Sequence, residues 1–131
     1  KLHEAKIHNS EQVEVWGTGK PLREFLHVND LADACVYLMN KIDADDLYNS
    51  GISHINIGSG EEVSIKVLAI MIKKVIGYKG DLIFNSDYPD GTPRKLLDVS
   101  RLNTMGWKSK IKLEDGLKSV YEWYLDKLLK D

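Results

Sequence analysis

The chain has 131 residues, of which 43% are hydrophobic and 29% are charged, and its formal net charge is -2. These values are typical of one compact globular domain, and they argue against a strongly basic protein that binds nucleic acid. No apolar run approaches the length that spans a membrane. The single cysteine excludes an intramolecular disulfide and favours a reducing compartment, the cytoplasm.

In the first half of the chain, the patterns predict strands over residues 12–16 and 23–28. Apolar residues then recur at helical spacing over residues 29–42, and Asn29 or Asp30 is the expected N-cap. A short strand over residues 54–57 follows and ends in a Gly-Ser-Gly turn.

In the second half, Ser64 and Gly77 are the predicted N-cap and C-terminal glycine of a helix over residues 64–76. A strand over residues 82–84, a helical turn over residues 100–105 and a long helix from Lys112 complete the chain. This alternation predicts an α/β fold. Four short strands make a thin sheet for three amphipathic helices. The chain also lacks an initial Met, so we expect a segment of a longer protein whose other layer is elsewhere.

Several residues of catalytic or cofactor-binding type favour structural roles. Tyr37 and Lys41 have the Tyr-x-x-x-Lys spacing of short-chain dehydrogenases, but the pair lies too close to the helix start for that role. Cys35 lies in the helical stripe and is predicted to be buried as a small hydrophobe. Residues 58–60 lack the third glycine of a dinucleotide-binding loop. The four histidines lack metal-ligand spacing, so no metal site is predicted.

Binding chemistry is concentrated first in residues 13–34, VEVWGTGKPLREFLHVNDLADA. Trp16 offers a flat apolar face, and the guanidinium of Arg23 suits two phosphate oxygens at once. Gly17 and Gly19 allow a close backbone approach. A hairpin with an edge tryptophan and a surface arginine explains the same residues, and residue types alone leave the two interpretations even.

A second cluster is residues 89–95, PDGTPRK. Pro-Asp-Gly is a turn signal, and Asp90 has the chemistry to accept hydrogen bonds from ribose hydroxyls or from a guanine edge. A turn with solvated charges is the alternative. Two such clusters in one short chain favour a nucleotide-sugar site.

Four segments closely resemble the bacterial GDP-L-fucose synthases, which are NADP-dependent epimerase-reductases of the extended short-chain dehydrogenase, or NAD-dependent epimerase/dehydratase, family. They are VWGTGKPLREFLHVNDLADA, HINIGSG, VIGYKGDLIFNSDYPDGTPRKLLDVSRLNTMGWK and LEDGLKSVYEWYL. The likeness covers essentially all of the chain. The REFLHVND segment is common to many nucleotide-sugar enzymes, whereas PDGTPRKLLDVSRL together with VWGTGKPLREF is far more specific.

The resemblance implies that residues 1–131 are the C-terminal, substrate-binding part of such an enzyme. It places most of the NADP-binding Rossmann domain and all of the catalytic residues upstream, so that no residue here is catalytic or binds the cofactor. The positions that match GDP-sugar contacts of the family are Lys1, Trp16, Arg23 and Asp90, with Lys95 as a further contact.

The reaction implied is 3,5-epimerisation of GDP-4-keto-6-deoxy-D-mannose, followed by NADPH-dependent reduction of its 4-keto group to GDP-L-fucose. The parent enzyme is expected to be a homodimer, and residues 29–58 are expected to pack on its Rossmann domain. The chain alone is expected to be inactive. The alternatives are another nucleotide-sugar epimerase, dehydratase or reductase of the same family, and a non-catalytic nucleotide-binding module.

Overall fold

The computed structural model describes residues 1–129, apart from the side chain of Asp46. In chain order its elements are α1 (Leu2–Ile7), β1 (Gln12–Trp16), β2 (Leu22–Glu24), α2 (Val28–Lys41), α3 (Ala44–Asn49), β3 (Glu62–Ser64), α4 (Ile65–Ile76), β4 (Asp81–Asn85), β5 (Arg94–Lys95), α5 (Ser100–Thr104) and α6 (Leu113–Leu128). No helix in this described part combines the length and the apolar character needed to cross a membrane.

The elements form two compact units. Unit 1 contains Lys1–Arg23, Glu62–Lys95 and the chain from Glu114 onward. Unit 2 contains Glu24–Glu61 and Leu96–Leu113. Each unit is therefore built from segments that are distant in sequence.

Two strand pairs, β1 with β4 and β2 with β5, are parallel. β1 lies beside β4 with Gln12 opposite Asp81 and Trp16 opposite Asn85, so both strands end at the same edge. β2 lies between β3 and β5 in a second small sheet, and Arg23 is in register with Lys95. Parallel strands and helices confirm the predicted α/β class.

The core of unit 1 consists of Ala5, Ile76 and Tyr78. The Tyr78 hydroxyl donates a hydrogen bond to the Ser10 carbonyl at 2.9 Å, which satisfies the polar end of this buried ring. Helix α4 begins and ends as predicted. The Ser64 hydroxyl accepts from the Val67 N–H, and Gly77 follows the last turn with a φ of +73°.

The core of unit 2 consists of Ala34, Leu102 and Trp107. The buried Asp30 carboxylate joins α2 to the segment before α6, because its Oδ2 accepts from the backbone N–H groups of Lys110 (3.0 Å) and Ile111 (2.9 Å). Buried polar groups are normally paired in this way, since an unpaired one is costly.

Helix α2 turns only part of its predicted apolar stripe toward this core. Ala34 is fully buried, whereas Leu31, Cys35 and Met39 are exposed. The prediction that Cys35 is buried is therefore wrong for the described chain. The stripe extends over more of the helix surface than unit 2 covers.

Two strand predictions and the N-cap prediction are also wrong, and one of the two interpretations of residues 13–34 is excluded. The strand predicted over residues 23–28 is shorter, because the His27 side chain accepts from the Asn29 N–H and α2 begins at Val28. That contact also replaces the predicted N-cap. Residues 54–57 form no strand in the described chain. A hairpin of the first two strands is excluded, since β1 and β2 belong to different sheets.

Candidate functional site

The two predicted binding clusters meet in unit 1, at the edge where β1 and β4 both end. The Gly17 N–H donates to the Asn85 carbonyl at 2.8 Å, which continues the strand pairing by one residue. Beyond it, the Thr18 N–H donates to Asp90 Oδ1 at 2.8 Å and the Thr18 hydroxyl donates to Asp90 Oδ2 at 2.5 Å. One threonine therefore ties the two loops together.

The Gly-x-Gly turn is required by contacts within the chain itself. Gly17 and Gly19 both have positive φ, +85° and +74°, in the region where glycine is favoured. A Cβ on Gly17 would collide with the Asp90 carboxylate, and one on Gly19 would lie 2.6 Å from the Phe84 ring. The space next to these two glycines is therefore occupied by Asp90 of the neighbouring loop and by Phe84 of β4.

A cavity of about 90 Å³ lies between these loops. Its lining residues are Trp16, Gly19, Pro21, Arg23, Ile65, Pro89, Asp90 and Gly91. Sites for drug-sized ligands measure roughly 300–1,000 Å³. The cavity therefore suits one group of a ligand, such as a phosphate, and a whole nucleotide-sugar would extend beyond it.

Arg23 is the cation of this cavity. Its Nη1 donates to the neighbouring Leu22 carbonyl at 2.6 Å, and within residues 1–129 that is the only hydrogen bond of its side chain. The guanidinium lies against Gly91, where a Cβ would be 3.2 Å from Nη2. Because a guanidinium has five N–H donors, most of them remain available to an anionic ligand.

Trp16 lies at the same edge with its indole well exposed. Its Nε1 donates to Glu14 Oε1 at 3.0 Å, and the Lys1 ammonium lies 5.0 Å from the ring centroid. The Tyr88 ring is stacked on the indole, with centroids 4.4 Å apart and planes 11° from parallel. The structure thus brings Lys1 to Trp16 although they are fifteen positions apart in the sequence.

Lys95 lies beside Arg23 but outside the cavity lining. The two residues are partners in the register of β2 and β5, so they share one face of that sheet. The preceding Arg94 is already used, since its Nε donates to Glu62 Oε2 at 2.8 Å. All five sequence-predicted contacts therefore lie in unit 1, and three of them line the cavity.

Asp90 is more constrained than the sequence suggested. The two hydrogen bonds from Thr18 are the main reason that the pKa of its carboxyl lies below the usual value. The contact is therefore complete at neutral pH and is lost only as the pH falls through that lowered pKa. Both carboxylate oxygens position the loop, and only their remaining lone pairs are available to a ligand.

The sequence predicts that this site binds a GDP-sugar, and on that prediction we expect Thr18→Val to weaken GDP binding by about three- to tenfold, which corresponds to one lost hydrogen bond. Valine has a similar shape but cannot donate to Asp90 Oδ2, so the loop of residues 89–91 loses one of its two attachments. Calorimetric titration with GDP at pH 7 measures the loss. Thr18→Ser keeps the hydroxyl and is the control. Equal affinity of the valine and serine variants would contradict the role assigned to this contact.

Two features that the sequence suggested as structural have internal partners in unit 2. The Tyr37 hydroxyl donates to the Met105 carbonyl at 2.6 Å, so this tyrosine is hydrogen-bonded within the unit. The turn of residues 58–60 surrounds the Glu24 carboxylate, whose Oε1 accepts from the Gly60 N–H at 2.6 Å. Glu24 Oε2 accepts from the Leu97 N–H at 3.0 Å. A carboxylate of the chain itself thus occupies the position that a phosphate would need.

Sequence reasoning missed Glu14, Thr18 and Tyr88. Each lies within two residues of a predicted contact, so proximity to a motif was the available signal. Their roles depend on the parallel pairing of β1 and β4, which brings the loops after both strands to one edge.

The model of the NAD dependent epimerase/dehydratase family matches residues 3–58. Residues 3–58 are therefore similar to this family. Its matches among individual proteins extend over nearly all of its length.

Curated relatives include GDP-L-fucose synthase 1 of Arabidopsis thaliana, 54% identical over 95% of this chain, and GDP-L-fucose synthase of Escherichia coli, 49% identical over 96%. The chain spans 36% and 40% of their lengths. A solved GDP-mannoheptose C4 reductase from Campylobacter jejuni, with NADP bound, is 46% identical with a TM-score of 0.77. That match covers 95% of this chain and 40% of the reductase. The predicted resemblance to GDP-L-fucose synthases is confirmed.

Proposed function

We propose that this chain is the GDP-sugar-binding part of a GDP-L-fucose synthase. That enzyme would epimerise GDP-4-keto-6-deoxy-D-mannose at C3 and C5 and then reduce its 4-keto group with NADPH. The contacts to the substrate would come from Lys1, Trp16, Arg23, Asp90 and Lys95. The high identity to GDP-L-fucose synthases supports this assignment.

The observation that carries the proposal is the convergence of Trp16, Arg23 and Asp90 on one cavity. They supply a flat ring, a guanidinium and a carboxylate, which suit a base or sugar, a diphosphate and a hydroxyl, respectively. Lys1 and Lys95 add positive charge nearby, as a diphosphate requires. Held at this end, the nucleotide would orient the distant keto-sugar, and such binding energy lowers a barrier by fixing geometry.

The described residues do not fit the pyrophosphate of NADP. The turn at residues 17–19 is filled by Asp90 and Phe84, and the turn at residues 58–60 is filled by Glu24. We therefore assign cofactor binding and catalysis to the part of the enzyme that lies outside this chain. In this proposal the substrate is held here, and the proton and hydride transfers occur on groups that this chain does not contain.

The remaining parts of the proposal concern the parent enzyme. The exposed apolar residues of α2, among them Leu31 and Met39, support packing of residues 29–58 on an NADP-binding domain. The absence of strand pairing at residues 54–57 in the described chain agrees with a strand whose neighbours lie elsewhere. We propose a cytoplasmic homodimer for the whole enzyme.

Calorimetric titration of the intact protein with GDP and with UDP tests the nucleotide assignment. We expect GDP to bind at least about tenfold more tightly, since a site that hydrogen-bonds one base edge leaves groups unpaired with another base. Equal affinity for the two nucleotides would contradict a GDP-specific site and favour another nucleotide-sugar enzyme.

The similarity to the heptose reductase makes a GDP-sugar C4 reductase without epimerase activity the second candidate. Turnover of GDP-4-keto-6-deoxy-D-mannose by the intact protein, followed by analysis of the C3 and C5 configuration of the product, separates the two. Residues 1–131 alone should show no turnover with NADPH and this substrate. Turnover by that segment would contradict the assignment of catalysis to the part of the enzyme outside residues 1–131.

A further inference from the structure

Trp16 is an exposed aromatic residue whose position is nevertheless defined by three neighbours. Trp16 is 60% exposed. The Glu14 carboxylate accepts from its Nε1, the Lys1 ammonium lies near the ring, and the Tyr88 ring is stacked on it. The indole is therefore held although most of its surface is open to solvent.

Glu14 is itself held in place. Its Oε2 accepts from the Asn85 amide at 3.1 Å, while Oε1 accepts from Trp16. Asn85 is the strand partner of Trp16. Glu14 therefore links the indole at the end of β1 to the amide at the end of β4. The edge of the indole is thereby fixed relative to the sheet.

Tyr88 is stacked on the Trp16 indole but does not itself line the cavity. Trp16, Pro89 and Asp90 line the cavity, whereas Tyr88, next to Pro89 in the chain, does not. The parallel stack at 4.4 Å leaves no room for a ligand ring between the two side chains. Tyr88 therefore supports the indole from outside the cavity.

We propose that Tyr88 is a positioning residue of this site, which holds the Trp16 indole in place to contact a nucleoside diphosphate at the cavity. The inference rests on the proposed function, because it assumes that the cavity binds such a ligand. Its physical basis is preorganisation, since a side chain already ordered in the free protein loses less entropy on binding. Offset-stacked aromatic pairs supply the attraction that maintains this order.

The test is a double-mutant cycle on GDP affinity in the intact protein, measured by calorimetry. We expect Tyr88→Leu to weaken binding about fivefold, as for the loss of one aromatic pair. Tyr88→Phe keeps the stack and should bind within about twofold of the parent. In a Trp16→Leu background, Tyr88→Leu should cause no further loss, because Tyr88 acts through the indole.

A second readout does not require a ligand. The fluorescence anisotropy of Trp16 is obtained by subtracting the signal of the Trp16→Phe variant from that of the parent, with and without Tyr88→Leu. We expect Tyr88→Leu to lower this anisotropy and Tyr88→Phe to preserve it. An unchanged anisotropy would overturn the positioning role even if the protein did not bind GDP.

The remaining outcomes distinguish a failure of the proposed function from a failure of the role assigned to Tyr88. If the parent protein does not bind GDP, the proposed function fails while the anisotropy still decides the role of Tyr88. If the parent binds GDP and Tyr88→Leu binds equally well, the inference fails and the proposed function stands. If Tyr88→Leu weakens binding equally in both backgrounds, Tyr88 contacts the ligand directly, and the positioning role is overturned.

Discussion

Arg23→Ala is expected to weaken GDP binding by about 100-fold, which corresponds to about 2.7 kcal/mol. Arg23 supplies the guanidinium of the cavity, and most of its donors have no partner in the described chain. Its removal would leave a diphosphate without the planar pair of donors that suits phosphate oxygens. Calorimetric titration of the intact protein with GDP measures this effect.

Two further variants make the Arg23 result specific. Arg23→Lys keeps the charge but not the two-pronged geometry, so an intermediate loss is expected. Lys20→Ala removes a nearby exposed cation outside the cavity lining and should change the affinity by less than about twofold. If Arg23→Ala bound GDP as tightly as the parent while the thermal unfolding of both proteins coincided, the assigned phosphate contact would be refuted.

Asp30→Ala is expected to lower the free energy of unfolding by about 2 kcal/mol. The Asp30 carboxylate is buried and accepts two backbone hydrogen bonds, from Lys110 and Ile111. Alanine would leave both N–H groups without that acceptor. Urea unfolding monitored by Trp107 fluorescence is a suitable measurement, since this indole lies in the core of the same unit.

Asp30→Asn retains an acceptor oxygen and should lose roughly half as much stability. The matched control is Asp43→Ala, because Asp43 precedes α3 without a side-chain capping bond. Its effect is expected to stay within about 0.5 kcal/mol, as for most surface substitutions. To assign the fluorescence to Trp107, the series is measured with Trp16 and Trp123 replaced by Phe. Equal stability of the Asp30→Ala and Asp43→Ala variants would show that the buried contact does not stabilise the unit.

The helices that the sequence predicted best are those whose ends carry their own signals. Ser64 and Gly77 bound α4 through a hydroxyl cap and a left-handed residue, and both signals act within one turn of the helix. The start of α2 was misplaced for a related reason. His27 is an uncommon cap, so the preferred residues Asn29 and Asp30 appeared to be better candidates, whereas Asp30 is used for tertiary packing.

Strand prediction failed where pairing decides the outcome. The strands at residues 12–16 and 82–84 were predicted because their apolar pattern is local. Their pairing with each other was not predicted. Residues 54–57 have a similar pattern and form no strand in the described chain, since a strand requires a neighbour for its hydrogen bonds. The very short β5 has no pattern of its own and exists through its pairing with β2.

The sequence by itself determined the α/β class, the position of the main helices and the residue types of the two binding clusters, because these depend on periodicity, capping and side-chain chemistry. It left a hairpin and a binding site equally favoured at Trp16 and Arg23. Only the tertiary structure decided that β1 runs beside β4 and that Asp90 binds Thr18. The physical reason is that contacts between residues 69 and 72 positions apart depend on strand register, which no local pattern encodes.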